Sequence, residues 1–454
     1  MNAIGIDIGT TSICLGVYEE ETGRFAQVRR EKNHFLPDTY QQDPGRIFDT
    51  VKGMLDDLLL QGSAPSVIGI SSQMHGILYV DRNGREISPF YTWKEEAGNE
   101  AFGEETYAAY LSRATGYEMY TGYGSVTHFR LQQTGQIPAE AAWFINIGDY
   151  IAMRLCGARE PAMSASIAAS MGGFSLRERC FDLEALKAAG VETSFYPEVR
   201  AGRLVMGAYR GIPVVCAQGD NQASFYGAIG EREEVLGINV GTGSQVSLFH
   251  RRLVSGTGAE IRPFTENGFL YVMASVNGGK VYERLAEFVK NTVYAVTGME
   301  TEVYGKLEEA GMGVPATGLK ITPSLYGSRK GPAPGGRVEG LMPENFTLGD
   351  VVRAYVTGMA LELFRMYEQL PDTLKRGKTE IIASGNGIRK NRLLCQETER
   401  IFGLPVSFRA VEEEAAAGAA MWALREFKTK NRKNGGKREY EKSTYGNSSA
   451  HSLR

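Results

Sequence analysis

Two short stretches of sequence decide the fold: IGIDIGTTS at residues 4–12 and LGINVGTGS at residues 236–244. Five of their nine positions are identical, and a shift of 232 residues relates them. Each stretch is an apolar run typical of a strand, which ends in a turn of small residues and is followed by a second strand pattern. The repeat predicts one related β-hairpin in each half of the chain. The alternative is two unrelated tight hairpins, which the recurrence of both register and composition disfavours.

The turns of these hairpins have the composition of an anion site. Glycine lets several backbone N–H groups approach an anion closely, and threonine or serine hydroxyls add donors. Two such turns predict a polyphosphate that is held from both sides. The copies differ at one charged position, which is Asp7 in the first and Asn239 in the second. Only the first half therefore offers a carboxylate beside the phosphates, where it can bind Mg²⁺ or its water shell.

Two further segments carry candidate chemistry. The loop SQMHG (72–76) lies between two strand patterns, and His75 with Gln73 can hydrogen-bond the vicinal hydroxyls of a polyol there. The alternative is a structural histidine. Asp220 follows the strand pattern IPVVCA and opens a helix, so it is either an N-cap worth about 1 kcal/mol or a general base at the end of a strand. The local sequence leaves cap and base equally open.

The remaining patterns divide the chain into an N-terminal α/β domain (1–229), a C-terminal α/β domain (230–427) and a tail (428–454). Helical patterns lie near 45–60, 104–115 and 140–155 in the first domain. The tail has net charge +6 and no apolar periodicity, so we expect a solvated, disordered extension. The total net charge is −3, so residues 1–427 have a net charge of −9. An acidic surface of this kind disfavours nucleic acid as a partner.

Composition also bears on the compartment. The five cysteines are scattered and none forms a CxxC pair, so the sequence predicts neither a disulfide framework nor a zinc site. The N-terminus lacks the pattern of a signal peptide, and no apolar run reaches the roughly 18–20 residues of a membrane span. We expect a cytoplasmic monomer or homodimer with no membrane partner.

Taken in order, the motifs resemble those of the FGGY carbohydrate kinases, and the match covers about residues 2–426. The superfamily includes actin, hexokinase and the heat-shock chaperone ATPases, so the resemblance implies two ribonuclease-H-like α/β domains with a central cleft. The matching segments are IGIDIGTTS (4–12), GISSQMHG (69–76), FYTWKEEAG (90–98), AQGDNQAS (217–224), NVGTGSQVS (239–247), ITPSLYGSRKGP (321–332) and IIASGNGIRKN (381–391).

The resemblance implies a role for each matched residue. Asp220 would be the general base that takes the proton from the terminal hydroxyl of the sugar, and Asp7 would help to hold Mg²⁺ near the β- and γ-phosphates of ATP. The implied phosphate contacts come from Gly9, Thr10, Thr11, Ser12, Gly241, Thr242 and Gly243. The implied sugar pocket consists of Gln73, Met74, His75, Trp93, Glu95, Asp220 and Asn221. The implied adenosine contacts are Gly385, Asn386 and Gly387.

The same resemblance implies a substrate. Segments such as ASVNGGKV (274–281) go beyond the general family pattern and resemble the branch that phosphorylates sedoheptulose. The implied reaction is the ATP- and Mg²⁺-dependent conversion of this ketose to its 7-phosphate, with xylulose or ribulose as rival substrates. One departure bears on the sugar, because Lys-Glu-Glu follows Trp93 where relatives tend to have an Asp followed by Arg. Glu95 takes the place of that Asp with a longer side chain.

Two other classes of function compete with a sugar kinase. An actin-like or chaperone-like ATPase needs neither a polyol loop nor an acceptor base, so QMHG and GDNQ argue against it. A sugar-sensing regulator that binds without turnover would usually carry a helix-turn-helix module and a basic surface. The acidic body argues against that regulator.

Overall fold

The computed structural model of the protein describes residues 1–62, 64–200, 204–266, 268–327, 335–409 and 413–445, with side chains through Thr429 in the last range. The chain divides into two compact units. The first unit comprises Met1–Ala228 and Val411–Arg454, and the second comprises Ile229–Ala410. Among the described residues, no helix combines the length and the apolar character needed to cross a membrane.

The first unit is built on a sheet with seven strands in the described part of the chain, in the order β15-β16-β5-β1-β2-β3, with β17 beside β5. Its strands are β1 (Asn2–Ile8), β2 (Ser12–Glu19), β3 (Arg24–Lys32), β4 (Gln41–Gln42), β5 (Val67–Ser72), β6 (Leu78–Val80), β7 (Phe90–Tyr91), β8 (Ala101–Phe102), β9 (Glu105–Thr106), β10 (Trp143–Ile145), β11 (Ala162–Ser164), β12 (Phe174–Ser175), β13 (Cys180–Phe181), β14 (Glu198–Arg200), β15 (Val205–Tyr209), β16 (Ile212–Val215) and β17 (Gln218–Gly219). Every residue of β5 is buried, as is usual for a parallel strand that helices cover on both faces.

The helices of Met1–Ala228 are α1 (Pro44–Leu60), α2 (Tyr107–Thr115), α3 (Gly124–Gln133), α4 (Ile147–Leu155), α5 (Ala165–Ala168), α6 (Leu183–Ala188) and α7 (Asp220–Ala228). The prediction of a helix near 140–155 is wrong at its start. Trp143–Ile145 form β10, which pairs with β6, and the Asn146 side chain then caps α4 by accepting a hydrogen bond from the Gly148 N–H.

The second unit repeats the construction. Its strands are β18 (Val235–Val240), β19 (Ser244–His250), β20 (Glu260–Pro263), β21 (Phe269–Ser275), β22 (Lys320–Thr322), β23 (Arg337–Glu339), β24 (Glu380–Ser384) and β25 (Val406–Phe408). Its helices are α8 (Gly279–Thr297), α9 (Tyr304–Met312), α10 (Leu348–Glu368), α11 (Asp372–Lys375), α12 (Asn386–Arg389) and α13 (Arg392–Phe402). Its main sheet has the order β20-β21-β19-β18-β24-β25.

The two main sheets share one topology. In the first unit, β1, β2 and β3 run antiparallel in sequence order, and β5 and then β16 continue the sheet in parallel beside β1. In the second unit, β18, β19 and β21 correspond to the antiparallel strands, and β24 and β25 to the parallel ones. The predicted two-fold α/β fold of ribonuclease-H-like units, of the actin and hexokinase type, is confirmed.

The last helix, α14 (Glu414–Tyr445), packs on β1, β5 and α7, so its contacts lie in the first unit although the sequence analysis grouped residues up to 427 with the second half. A Cβ built on Gly418 would lie 1.8 Å from the carbonyl oxygen of Ala223, so only glycine allows this approach between α14 and α7. The helix continues past Lys428, where the sequence predicts an extension without structure, and 446–454 of that tail lie outside the described residues.

Candidate functional site

The first hairpin places Asp7 at the end of β1, where it lies opposite Ser71 in the parallel register with β5. The Ser71 hydroxyl donates to Asp7 Oδ1 at 2.8 Å. Burial, then the charge of Asp220 and less so that of Glu413, raise the pKa of the Asp7 carboxyl to about 7. Three acidic side chains of the first unit therefore interact electrostatically, and a bound cation would relieve their mutual repulsion.

Asp220 is the first residue of α7 and directly follows β17. The Asn221 N–H donates to Asp220 Oδ1 at 2.8 Å, which is a bond to the next residue and not the bond to the second or third helical residue that an N-cap accepts. The helix dipole further stabilises the charged carboxylate at this position. The structure thus brings Asp220 into electrostatic contact with Asp7, as predicted for a shared site, and its role as a base stays a prediction.

Residues 164–170 support both Asp220 and His75. Ser164 Oγ donates to the Ala217 carbonyl at 2.6 Å, and the Gly219 N–H donates to Ser166 Oγ at 3.0 Å, which fixes the backbone before Asp220. The Ala217 N–H donates to Asp149 Oδ1 at 3.1 Å. Asp149 is buried, and its burial raises the pKa of the carboxyl well above its ordinary value. The sequence indicated none of these contacts, because they join residues far apart in the chain.

His75 is held in an unusual backbone conformation. Its φ of 72° lies in the left-handed region, which non-glycine residues rarely adopt. Ser170 accepts from the His75 N–H at 3.1 Å, and its carbonyl lies 2.7 Å from His75 Nδ1. Nδ1 must carry the proton in this contact, so Nε2 of the neutral ring can only accept a hydrogen bond. Tyr123 stacks on the imidazole with ring centroids 4.4 Å apart.

The other predicted sugar residues differ in exposure. Met74 is 4% exposed and Gln73 is 1% exposed, whereas Trp93 is 45% exposed. The carboxylate of Glu95 is partly buried and receives no hydrogen bond or ion pair from the described residues. Burial, and after it the charge of Glu95, raise the pKa of Tyr91. Glu95 is thus an acceptor that the described part of the protein leaves available.

Thr10, in the first turn, is engaged by protein partners. Its hydroxyl donates to Gln73 Oε1 at 3.2 Å and accepts from Trp93 Nε1 at 2.9 Å. A threonine hydroxyl has a single hydrogen. In this arrangement, any contact between Thr10 and a phosphate falls to its backbone N–H. The remaining predicted members of this turn are partly exposed (Gly9) or exposed (Thr11 and Ser12).

In the second unit, Asn239 lies opposite Ser384 in the parallel register of β18 and β24, and Asn239 Nδ2 donates to Ser384 Oγ at 2.8 Å. The predicted turn Gly241–Gly243 is joined to the start of α8. The Gly279 N–H donates to the Gly241 carbonyl at 2.7 Å, and the Lys280 N–H donates to the Thr242 carbonyl at 3.5 Å. The turn is therefore fixed by backbone contacts.

The predicted adenosine segment, Gly385–Gly387, packs against the same turn, Gly241–Gly243. Gly385 has a φ of 86°, and a Cβ built there would lie 2.5 Å from the Val240 carbonyl. Asn386 begins α12 and is exposed, and a Cβ built on Gly387 would lie 2.7 Å from the same Val240 carbonyl. The structure thus brings together all predicted nucleotide residues of the second unit. The Ser-Arg pair at 328–329, also in a predicted segment, lies outside the described residues.

Asn277 is a residue of this site that the sequence analysis gave no role. It is 5% exposed, and its side chain accepts from the Tyr326 N–H at 3.0 Å and donates to the Gly327 carbonyl at 2.9 Å. The ammonium of Lys280 lies 3.8 Å from the ring centroid of Tyr326. Asn277 therefore anchors the segment before residue 328 to the N-terminus of α8.

The donor groups fit a magnesium ion and a polyphosphate. In the part of the chain that the structure describes, no group of three or more His, Cys, Asp or Glu side chains is arranged to hold a metal. A cation beside Asp7 would take its other ligands from water and substrate oxygens, as Mg²⁺ commonly does. Burial, and after it the charge of Asp220, raises the pKa of Asp7, and a cation bound there would favour the charged carboxylate.

Two ribonuclease-H-like units, each with a Gly-Thr turn after its first strand, define a protein of the actin and hexokinase fold class. Residues 2–227 match the N-terminal domain of the FGGY family of carbohydrate kinases, and residues 237–427 match the C-terminal domain. The chain belongs to the FGGY family of carbohydrate kinases. It is an ATP-dependent sugar kinase, with a sugar and ATP as its substrates.

Individual relatives agree with this assignment. The chain is 29% identical to the sedoheptulokinase of Mus musculus, over 93% of this chain and 97% of the relative. It is 28% identical to the sedoheptulokinase of Homo sapiens, over the same shares of the two chains. Among solved structures, the xylulose kinase from Rhodospirillum rubrum is similar with a TM-score of 0.79 at 19% identity, over 94% of this chain and 89% of that chain.

Proposed function

We propose that the enzyme phosphorylates a ketose at its terminal hydroxyl and that the ketose is sedoheptulose, which becomes sedoheptulose 7-phosphate. The observation that carries the chemistry is that β1 and β17 both run parallel to β5, so that Asp7 and Asp220 lie at the same end of the sheet, where the charge of Asp220 raises the pKa of Asp7. What supports the substrate is the similarity to two sedoheptulokinases over almost the whole chain.

In this proposal the two acids have different roles. Asp220 accepts the proton of the attacking hydroxyl, which typically contributes about 10²–10⁴-fold to such a reaction. Asp7 helps to hold Mg²⁺, which when bound would neutralise charge on the β- and γ-phosphates. Phosphoryl transfer is in line, so the attacking oxygen must approach opposite the leaving ADP.

The remaining predicted residues bind and orient the substrates. The backbone N–H groups of the two turns hold the phosphates, and the segment Gly385–Gly387 contacts the adenosine. On the sugar side, His75 accepts a hydrogen bond from a hydroxyl through Nε2, and Trp93 and Asn221 line the pocket with Met74. Glu95 accepts from a further hydroxyl, because its carboxylate receives no hydrogen bond or ion pair from the described residues.

Xylulose is the second candidate substrate, because the family resemblance implies it as a rival and the fold is similar to that of a xylulose kinase. The test is a coupled assay of ADP release with sedoheptulose, D-xylulose, L-xylulose, D-ribulose and L-ribulose, and with a blank that lacks sugar. We expect the highest kcat/KM for sedoheptulose. A higher value for a pentulose would overturn the substrate, and ADP release that is independent of sugar would overturn the proposed chemistry.

We also propose that the enzyme works in the reducing cytoplasm as a monomer or homodimer. The five cysteines are all free thiols, which supports a reducing compartment. Cell fractionation with an antibody against the chain tests the location. Light scattering of the purified protein tests the oligomeric state.

A further inference from the structure

A closed ring of hydrogen bonds lies behind the first phosphate turn. The Thr10 hydroxyl donates to Gln73 Oε1, and Gln73 Nε2 donates to Gln42 Oε1 at 2.8 Å. Gln42 Nε2 closes the ring by donating to the carbonyl of Thr10 at 2.8 Å. Reversal of either amide would place two donors or two acceptors together, so the ring fixes the orientation of both glutamines.

Asn33 extends the ring to the rest of the turn. Its side chain donates to the Gly9 carbonyl at 2.9 Å, and its backbone N–H donates to the Thr11 carbonyl at 3.0 Å. Three consecutive carbonyls of the turn, those of residues 9, 10 and 11, are therefore held from behind by one buried polar cluster. Fully satisfied buried networks of this kind hold a single conformation of the backbone.

The network has one exposed end. Asn33, Gln42 and Gln73 are 8%, 0% and 1% exposed, whereas Trp93, which donates to Thr10 Oγ1, is 45% exposed. Trp93 belongs to the predicted sugar pocket, and the carbonyls at the other end belong to the predicted phosphate turn. Thr10 joins the predicted sugar pocket to the predicted phosphate turn, because its hydroxyl contacts Trp93 and its carbonyl belongs to the turn.

We propose that the ring of Thr10, Gln73 and Gln42 couples the indole of Trp93 to the shape of the phosphate turn. Gln73 and Gln42 are then positioning residues that act through the backbone of the turn. The inference rests on the proposed function, which assigns Trp93 to the sugar pocket and the turn to the phosphates. It predicts that a change at the sugar-side Trp93 alters nucleotide affinity when no sugar is present.

The test is calorimetric titration of AMP-PNP into the sugar-free protein. Trp93→Phe removes the indole N–H donor together with part of the ring, and it should weaken nucleotide binding about threefold to tenfold, the effect of one lost hydrogen bond. Thr10→Val should have a similar or larger effect. The double variant should bind no worse than Thr10→Val alone, because the bond broken at Trp93 is already absent.

Matched controls are available in the first unit. Trp143→Phe changes an indole in β10 that makes no hydrogen bond with the described residues, and Thr50→Val changes a hydroxyl on α1 that donates to the Arg46 carbonyl. Both controls should bind AMP-PNP like the wild-type protein. Unchanged affinity in Trp93→Phe, or additive effects in the double variant, would overturn the coupling.

The proposed function and the coupling can fail separately. Absence of sugar-dependent ADP release in the ketose panel would overturn the function and leave the titration interpretable, since AMP-PNP binding needs no turnover. Thermal unfolding of each variant identifies a fold defect, and Trp93→Phe is the safer variant because its side chain is the exposed member of the cluster.

Discussion

The two hairpin turns of this protein have the same backbone setting and opposite chemistry. At equivalent positions in the parallel strand pairs, Asp7 accepts a hydrogen bond from Ser71, and Asn239 donates one to Ser384, both at 2.8 Å. The serine is common to both halves, and its role in the hydrogen bond is reversed. One substitution in a duplicated unit therefore gives the first half a carboxylate and leaves the second half neutral.

The turns also differ in what holds them. Buried side chains hold two carbonyls of the first turn, those of Gly9 and Thr10, whereas backbone N–H groups at the start of α8 hold the carbonyls of Gly241 and Thr242 in the second. A turn held by side chains can respond to neighbouring side chains, as we infer for Trp93. A turn held by backbone alone is specified by close packing at glycine, above all at Gly385.

The largest effect should come from Asp220→Asn, which removes the proposed base from the acidic first half. We expect turnover to fall about 10²–10⁴-fold while ATP and sugar still bind, because the amide keeps the shape of the side chain. Turnover and calorimetric binding measure the two effects. Asp182→Asn is the matched control, since Asp182 also lies at a helix start, and it should keep full activity. Turnover of Asp220→Asn close to that of the wild type would contradict the base assignment.

A smaller effect is expected for Gly385→Ala in the second half. Alanine at this left-handed position costs about 1–3 kcal/mol and would place a Cβ against the Val240 carbonyl, so the turn must shift. We expect KM for ATP to rise about tenfold or more, with KM for the sugar unchanged. Gly377→Ala is the control, because it has a φ of 76° and no atom within 4 Å of its Cβ. If both variants raise KM for ATP equally, close packing is not the cause.

The smallest predicted effect is a shift with pH. The pKa of Asp7 is raised to about 7, so the carboxyl is mostly neutral below this pH and charged above it. Binding of Mn²⁺ as a probe metal should therefore strengthen as pH rises through 7 and then level off. In Asp220→Asn the neighbouring charge is gone, so the transition should move to lower pH by about one unit. Asp182→Asn should leave it in place, and an unmoved transition in Asp220→Asn contradicts the coupling of the two acids.

The sequence carried the fold because the repeated hairpin recurs in both spacing and composition. It missed α3 (Gly124–Gln133), in which Gly124–Phe129 are all buried and no polar face marks the helical period. It also grouped α14 with the second half, since chain order does not show that a helix returns to pack on β1 and β5.

The sequence names the candidate site residues one by one, and their roles stay predictions, but it does not name the residues that support them. Gln42 and Asn33 contact the turn across 32 and 24 residues of chain, and single polar residues in a loop leave no periodic signal. Ser166 and Ser170 likewise bond to Gly219 and His75 across distances in sequence that no local pattern encodes.

The most direct test of the central claim is the turnover of the exchanged pair, Asp7→Asn and Asn239→Asp, at saturating Mg²⁺ and sugar. We expect Asp7→Asn to lose about 10²–10³-fold in kcat, as when a group that stabilises developing charge is removed. Asn239→Asp should keep kcat and raise KM for ATP, because a second carboxylate repels the phosphates. The double exchange should remain as slow as Asp7→Asn. Near-normal kcat in Asp7→Asn, or its recovery in the double exchange, would show that the two halves are interchangeable and would contradict the account.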